Sequence, residues 1–167
     1  MTAFLPTAVF YLHDANPDLV ADLLERAGAI KWTSPHGPPS WDGPATRGAL
    51  RLSFHTHPWK PLSDEAQFDL EQLVLDSYFA LRQALGREPS LVVGVTLYHE
   101  QDATDAVLPV AVALLTRFDG LMHYIPNQRN AWKFFDPSLA CTSGDLRADP
   151  QAVHRIITRE LSPQAAT

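Results

Sequence analysis

The sequence predicts an α+β fold: a mainly antiparallel or mixed sheet of about six strands, covered by three main helices and a short C-terminal helix. Three observations carry this. Apolar runs with period-two alternation or β-branched composition recur along the chain, stripes at helical spacing separate them, and turn residues bound nearly every segment. With 167 residues, 46% of them hydrophobic and 19% charged, the chain has enough apolar material for one ordinary core. A chain of this length buries roughly two-thirds of its unfolded surface. Residues 1–161 are expected to form a single domain and 162–167 a loose tail, since no internal repeat or composition break divides the chain.

The first strand is expected over Ala8–His13. Asn16-Pro17-Asp18 then supplies a cap, a proline at the first helical position and an early acid, so a helix runs to about Ala27, with Gly28 placed to end it. A short strand, Ile30–Thr33, leads into Ser34–Arg47, where prolines and glycines favour a long loop. Gly48–Thr56 alternates Leu50, Leu52 and Phe54 with polar residues and reads as a half-buried strand. Ser63 caps a long helix through Leu85, with Asp64 and Glu65 in its first turn. Leu70, Leu73, Val74, Tyr78, Leu81 and Leu85 form its inner stripe, Phe68, Leu75 and Phe79 widen it, and Gly86 stops it.

Leu91–Tyr98 is apolar on both faces and is expected to be a central strand. Ala106–Phe118 follows as a buried helix, terminated at Asp119-Gly120. Leu121–Ile125 and Ala131–Phe135 flank a polar turn and read as a hairpin. Asp149-Pro150 opens the final helix, whose stripe is Val153, Ile156, Ile157 and Leu161.

The net charge of -6 and the lack of a basic run argue against nucleic-acid binding, because phosphate contacts need clustered Lys and Arg. One cysteine, Cys141, allows no disulfide within the chain and fits a reducing, cytoplasmic compartment. The N-terminus lacks the basic region and cleavage site of a secretory signal. The most apolar segment, Ala106–Leu115, is shorter than the roughly 20 residues that span a bilayer, so no membrane association is expected.

His55-Thr56-His57-Pro58 is the sharpest chemical pattern. Two residues apart on a strand, both imidazoles point to one side, where they can chelate a metal such as zinc. The alternative is a pair of exposed polar residues on a strand that Pro58 ends. The segment resembles the HxHP core of JAMM-type zinc metalloproteases, in which a later aspartate completes the zinc site and an upstream glutamate activates water. That resemblance implies a zinc-dependent hydrolase, with His55 and His57 as ligands. The family's Ser-x-x-Asp pattern is not met, because Ala66 stands three positions after Ser63. Nucleophile elbows, phosphate-binding loops and dinucleotide fingerprints are absent from the sequence. Cys141 paired with His123 or His154 is a conceivable nucleophile, against its role as a small structural residue.

A longer similarity covers Leu85–Tyr124, about a quarter of the chain. Leu85, Gly86, Pro89, Asp105, Leu108, Ala111, Leu114, Phe118, Gly120 and Leu121 follow the pattern of small bacterial domains of unknown function that resemble immunity proteins of polymorphic toxin systems. Ala106 and Pro109 depart from it, standing where a histidine and a glycine are expected. The resemblance implies a non-catalytic protein, without cofactor, that binds and neutralises a cognate toxin. Such a protein relies on a few anchors within a complementary surface. The candidates are Trp41, Trp59, Arg129 in the Asn127–Asn130 turn, and the acids Glu65, Asp69 and Asp76 of the long helix, which can steer a basic partner.

Overall fold

A computed structural model gives the fold and describes residues 7–27, 29–32, 40–42, 52–97, 100–125 and 134–161. The apolar and alternating segments form β1 (Thr7–His13), β2 (Ile30–Trp32), β3 (Ser40–Asp42), β4 (Leu52–Pro58), β5 (Leu91–Leu97), β6 (Asp119–Ile125) and β7 (Ala140–Thr142). They join in one sheet in the order β2-β3-β4-β5-β1-β6-β7, with each pairing antiparallel. β1 lies between β5 and β6, so that Val9 faces Gly94 on one side and His123 on the other. Both neighbours run against β1 and are therefore parallel to each other. Their connection must cross over the sheet, which is why a helix lies between them in the chain.

The helices are α1 (Pro17–Arg26), α2 (Asp64–Phe68), α3 (Gln72–Leu85), α4 (Glu100–Arg117), α5 (Ser143–Ala148) and α6 (Ala152–Leu161). α1 starts as its sequence requires: the Asp18 N–H donates to Asn16 Oδ1 at 2.8 Å, with Pro17 at the first helical position. The four helices α1, α4, α5 and α6 close one face of the sheet. There Phe10, Leu12, Val93, Val95, Met122 and Tyr124 meet residues such as Val20, Leu24, Leu114 and Ile157 in a core sealed from solvent. Each such side chain contributes roughly 1.5–3 kcal/mol on burial. α6 packs against α4, which explains how so apolar a helix is covered on more than one side.

The antiparallel α+β architecture agrees with expectation, and the details differ in instructive ways. There are seven strands among the described residues rather than about six: Ser40-Trp41-Asp42, a window free of proline and glycine, forms β3 inside the expected loop, and β7 was not foreseen either, while the strand expected over Ala131–Phe135 is not among them. Among the described residues six α-helices replace the expected four. The helix foreseen over Ser63–Leu85 breaks at Asp69–Glu71 into α2 and α3, although Ser63 caps as expected, accepting from the Ala66 N–H at 3.2 Å. Phe68, just before the break, is exposed, and so are Leu73 of the expected inner stripe and Phe79, expected to widen it. Gly86 does end α3, at φ 74, and its N–H reaches the Arg82 and Gln83 carbonyls.

α4 begins at Glu100, six residues earlier than Ala106. α5 was not foreseen. Thr142 and Asp145 form a capping box there, each side chain taking the other residue's backbone N–H at 3.0 Å. The final helix begins at Ala152, beyond Asp149-Pro150. β6 pairs with β7 rather than with an adjacent hairpin strand, and Phe134 and Phe135 are not in a strand. Residues 131–133, the Asn127–Asn130 turn, Gly28 and the 162–167 tail lie outside the described residues. Among the described residues, no helix is long and apolar enough to cross a membrane.

Candidate functional site

The second face of the sheet holds the candidate chemistry. Strand alternation sends His55 and His57 to this side, while Phe54, just before them, turns into the sealed core, and Thr56 between them is also buried. The two imidazoles stack, with centroids 5.9 Å apart and planes 13° off parallel. In the register, His55 faces Gly94, and a Cβ there would overlap the His55 ring. Glycine thus lets the ring lie flat on the sheet. That contact shields one side of an otherwise exposed residue, and the partial burial, with the nearby His57, lowers the His55 pKa. Among the described residues, no group of three or more His, Cys, Asp or Glu side chains converges as a metal cage would. The two histidines are therefore together, and a third ligand is not seen beside them.

Toward β1 and β6 the same face is covered by α3. Leu81 and Leu85 pack on Leu121, alongside Tyr11, Trp59, Phe135 and Ala140. Between α3, the chain after β4 and the sheet lies a cleft of about 340 Å³. Its walls are aromatic. Trp59 stacks on Tyr78, with centroids 6.3 Å apart and planes 4° off parallel, and meets Tyr11 edge-on at 5.8 Å. His123 lies 5.1 Å from the Phe135 ring, and its Nε2 accepts the Asp136 N–H at 3.2 Å. The Phe135 N–H donates to Ser77 Oγ, and the Leu62 N–H donates to the Tyr78 hydroxyl at 3.1 Å, so both cleft rims are tied to α3.

Burial sets the ionisation of this cleft. It pushes the Tyr11 phenol up to about 12 and the His123 imidazole down to about 4, the latter against a smaller opposing effect of the Asp136 carboxylate. Both groups are neutral near pH 7. A neutral imidazole that accepts at Nε2 carries its hydrogen on Nδ1.

Of the proposed partner-binding residues, the side chains of Trp59, Glu65, Asp69 and Asp76 are described. Trp59 is half-buried in the cleft wall rather than projecting as an anchor, and its Nε1–H is buried with no acceptor among the described residues. Glu65, Asp69 and Asp76 are exposed, and Asp76 accepts a hydrogen bond from Gln72 Nε2 at 2.7 Å. Trp41 belongs to β3, opposite Phe54, but its side chain lies outside the described residues, as does the whole of Arg129. Sequence reasoning missed Tyr11, Tyr78 and His123 as neighbours. The signal available was the strand alternation of Tyr11 and His123 and the helical stripe that holds Tyr78, which assign a face without saying what covers it.

Cys141 does not pair with His123. It lies opposite Met122 in the register and shares the sealed core with it, whereas His123 points to the other face. Its thiol donates to the Thr142 carbonyl at 3.4 Å, and burial, aided by Asp145, pushes its pKa up to about 11. A nucleophilic cysteine needs the opposite shift. No protein-family profile matches the chain, and no curated protein or solved structure is significantly similar to it.

Proposed function

We propose that this chain is a non-catalytic recognition protein of the immunity type, which binds and neutralises a cognate protein toxin in the cytoplasm. The observation that carries this reading is the exposure of large apolar side chains among carboxylates on α2 and α3. Phe68 is 91% exposed and Phe79 44% exposed. Gln72, Asp76, Phe79 and Gln83 recur at i, i+4, i+7 and i+11, so they share one outer stripe of α3. From Pro61 to Leu81 the chain carries Asp64, Glu65, Asp69, Glu71 and Asp76 with no Lys or Arg. Aromatic anchors in a rim of one charge sign suit a partner of the opposite sign, whose approach the rim accelerates. The partner is accordingly read as a basic toxin domain.

The test is to look for a toxin domain in the adjacent gene and to co-express it with this chain, scored by growth and by the purified complex; an adjacent gene without such a domain would itself count against the reading. Protection and a complex that Phe68→Asp or Phe79→Asp weakens at least about tenfold are expected, as for an aromatic anchor. Failure to protect, with no complex, would count decisively against the reading.

A second reading is a zinc-dependent hydrolase, supported by the stacked pair His55 and His57 on the open sheet face. Metal analysis of protein purified without chelators separates the two. Stoichiometric zinc that disappears in the double variant His55→Ala, His57→Ala would overturn the purely binding reading.

A further inference from the structure

The cleft under α3 leads beyond protein recognition, because its polar inventory is one-sided. Among the described residues its lining includes no Asp or Glu, and Lys60 is the one charged side chain there. The other polar groups are hydrogen donors in their neutral forms. Tyr11 keeps its phenolic hydrogen, His123 carries Nδ1–H, and the hydroxyls of Ser77 and Tyr78, each already accepting one backbone N–H, retain hydrogens to donate. Trp59 adds a buried Nε1–H that lacks an acceptor. A buried donor without an acceptor is costly, and an oxygen supplied by a ligand removes that cost. The remaining surface, including Leu70, Val74, Leu81 and Phe134, is apolar. A volume of about 340 Å³ is within the range of small-molecule sites, which begins at roughly 300 Å³.

We propose that this cleft binds a small free hydrophobic carboxylate, an aryl or short acyl acid, with its apolar body against Tyr78 and Phe134 and its carboxylate accepting from Trp59 Nε1–H and Lys60. A cationic ligand meets Lys60 with like charge and finds no carboxylate among the described lining residues. A neutral hydrocarbon leaves the Trp59 donor unanswered. The carboxylate answers both, and charge-assisted hydrogen bonds are the stronger kind.

The experiment is a titration of the intact chain with phenylacetate and with octanoate, followed through the Trp59 indole N–H resonance, which Trp59→Phe identifies by its loss. Phenylethanol is the neutral control. At least one acid is expected to bind saturably and shift that resonance, with phenylethanol markedly weaker. Lys60→Ala, at an exposed position, leaves the fold intact and is expected to weaken the acid about fivefold, the scale of an exposed ion pair, without affecting phenylethanol. The proposal is overturned if neither acid moves the Trp59 resonance, if phenylethanol binds as tightly as the acids, or if Lys60→Ala leaves acid binding unchanged. None of these outcomes bears on toxin protection, which reads the outer stripe of α3 instead.

Discussion

Phe10, Leu12, Val93, Met122 and Tyr124 project from one face of the sheet into a core closed by α1, α4, α5 and α6, whereas His55 and His57 project from the other face and remain exposed. Between these extremes lies the α3 side, where Leu81 and Leu85 are buried but Leu73 is 69% exposed. α3 and α4 are both rich in apolar residues, yet α4 buries Val107, Ala111, Leu114 and Leu115 almost completely. Apolar content alone does not decide burial. α4 is held against the sheet with α6 packed on it, while α3 meets the sheet along a single stripe and leaves a cleft beside it. One face thus supplies most of the packing, and the other supplies surfaces able to meet a partner.

That contrast can be broken first on the sealed side. Leu114→Ala is expected to lower unfolding stability by about 3–4 kcal/mol, because it opens a cavity in a fully buried cluster. Chemical denaturation measures it, and a loss below about 1 kcal/mol would show that this face is less tightly packed than described.

The cleft gives the next largest effect, through pH. His123 has its pKa lowered by burial from 6.5 to about 4, so as pH falls the unfolded chain takes up the proton first. Stability owed to the neutral His123 is fully present above about pH 6.5 and is lost as pH falls toward 4, by at most about 3 kcal/mol. Denaturation curves at pH 7 and pH 5 are expected to show part of this loss, and His123→Gln should flatten the difference. A pH dependence unchanged by that substitution would place its origin elsewhere.

The smallest effect belongs to the outer side of α3. Leu73→Ala is expected to change stability by no more than about 0.5 kcal/mol, since the side chain is mostly in water already. The same chemical change, leucine to alanine, should therefore differ several-fold in cost between α4 and α3. A large loss at Leu73 would mean that α3 is covered by a contact that its exposure does not reveal.

Much of this architecture was legible locally. Asn16-Pro17-Asp18 and Ser63 start helices where capping chemistry requires, Gly86 ends α3, and the alternation of β4 correctly puts His55 and His57 on one side. One misreading arises because periodicity cannot see a change of direction. A continuous helix would carry Phe68 beside the stripe, whereas the break at Asp69–Glu71 separates it from α3 and leaves it in solvent, while Leu70 still lines the cleft with Val74, Tyr78 and Leu81. β3 was hidden for another reason, since flanking prolines and glycines outweighed a three-residue window in any local count.

The sequence by itself determined the α+β class, the antiparallel tendency, the starts of α1 and α2, and the common side of the two histidines. These follow from interactions within a few residues, namely caps, turns and the two-residue period of a strand. Only the tertiary structure decided that β1 lies between β5 and β6, that Gly94 lies under His55, and that Tyr11, Trp59, Tyr78 and His123 line one cleft. Those contacts join residues far apart in the chain. They depend on which strands pair and on where a helix crosses the sheet, and no local pattern carries that information.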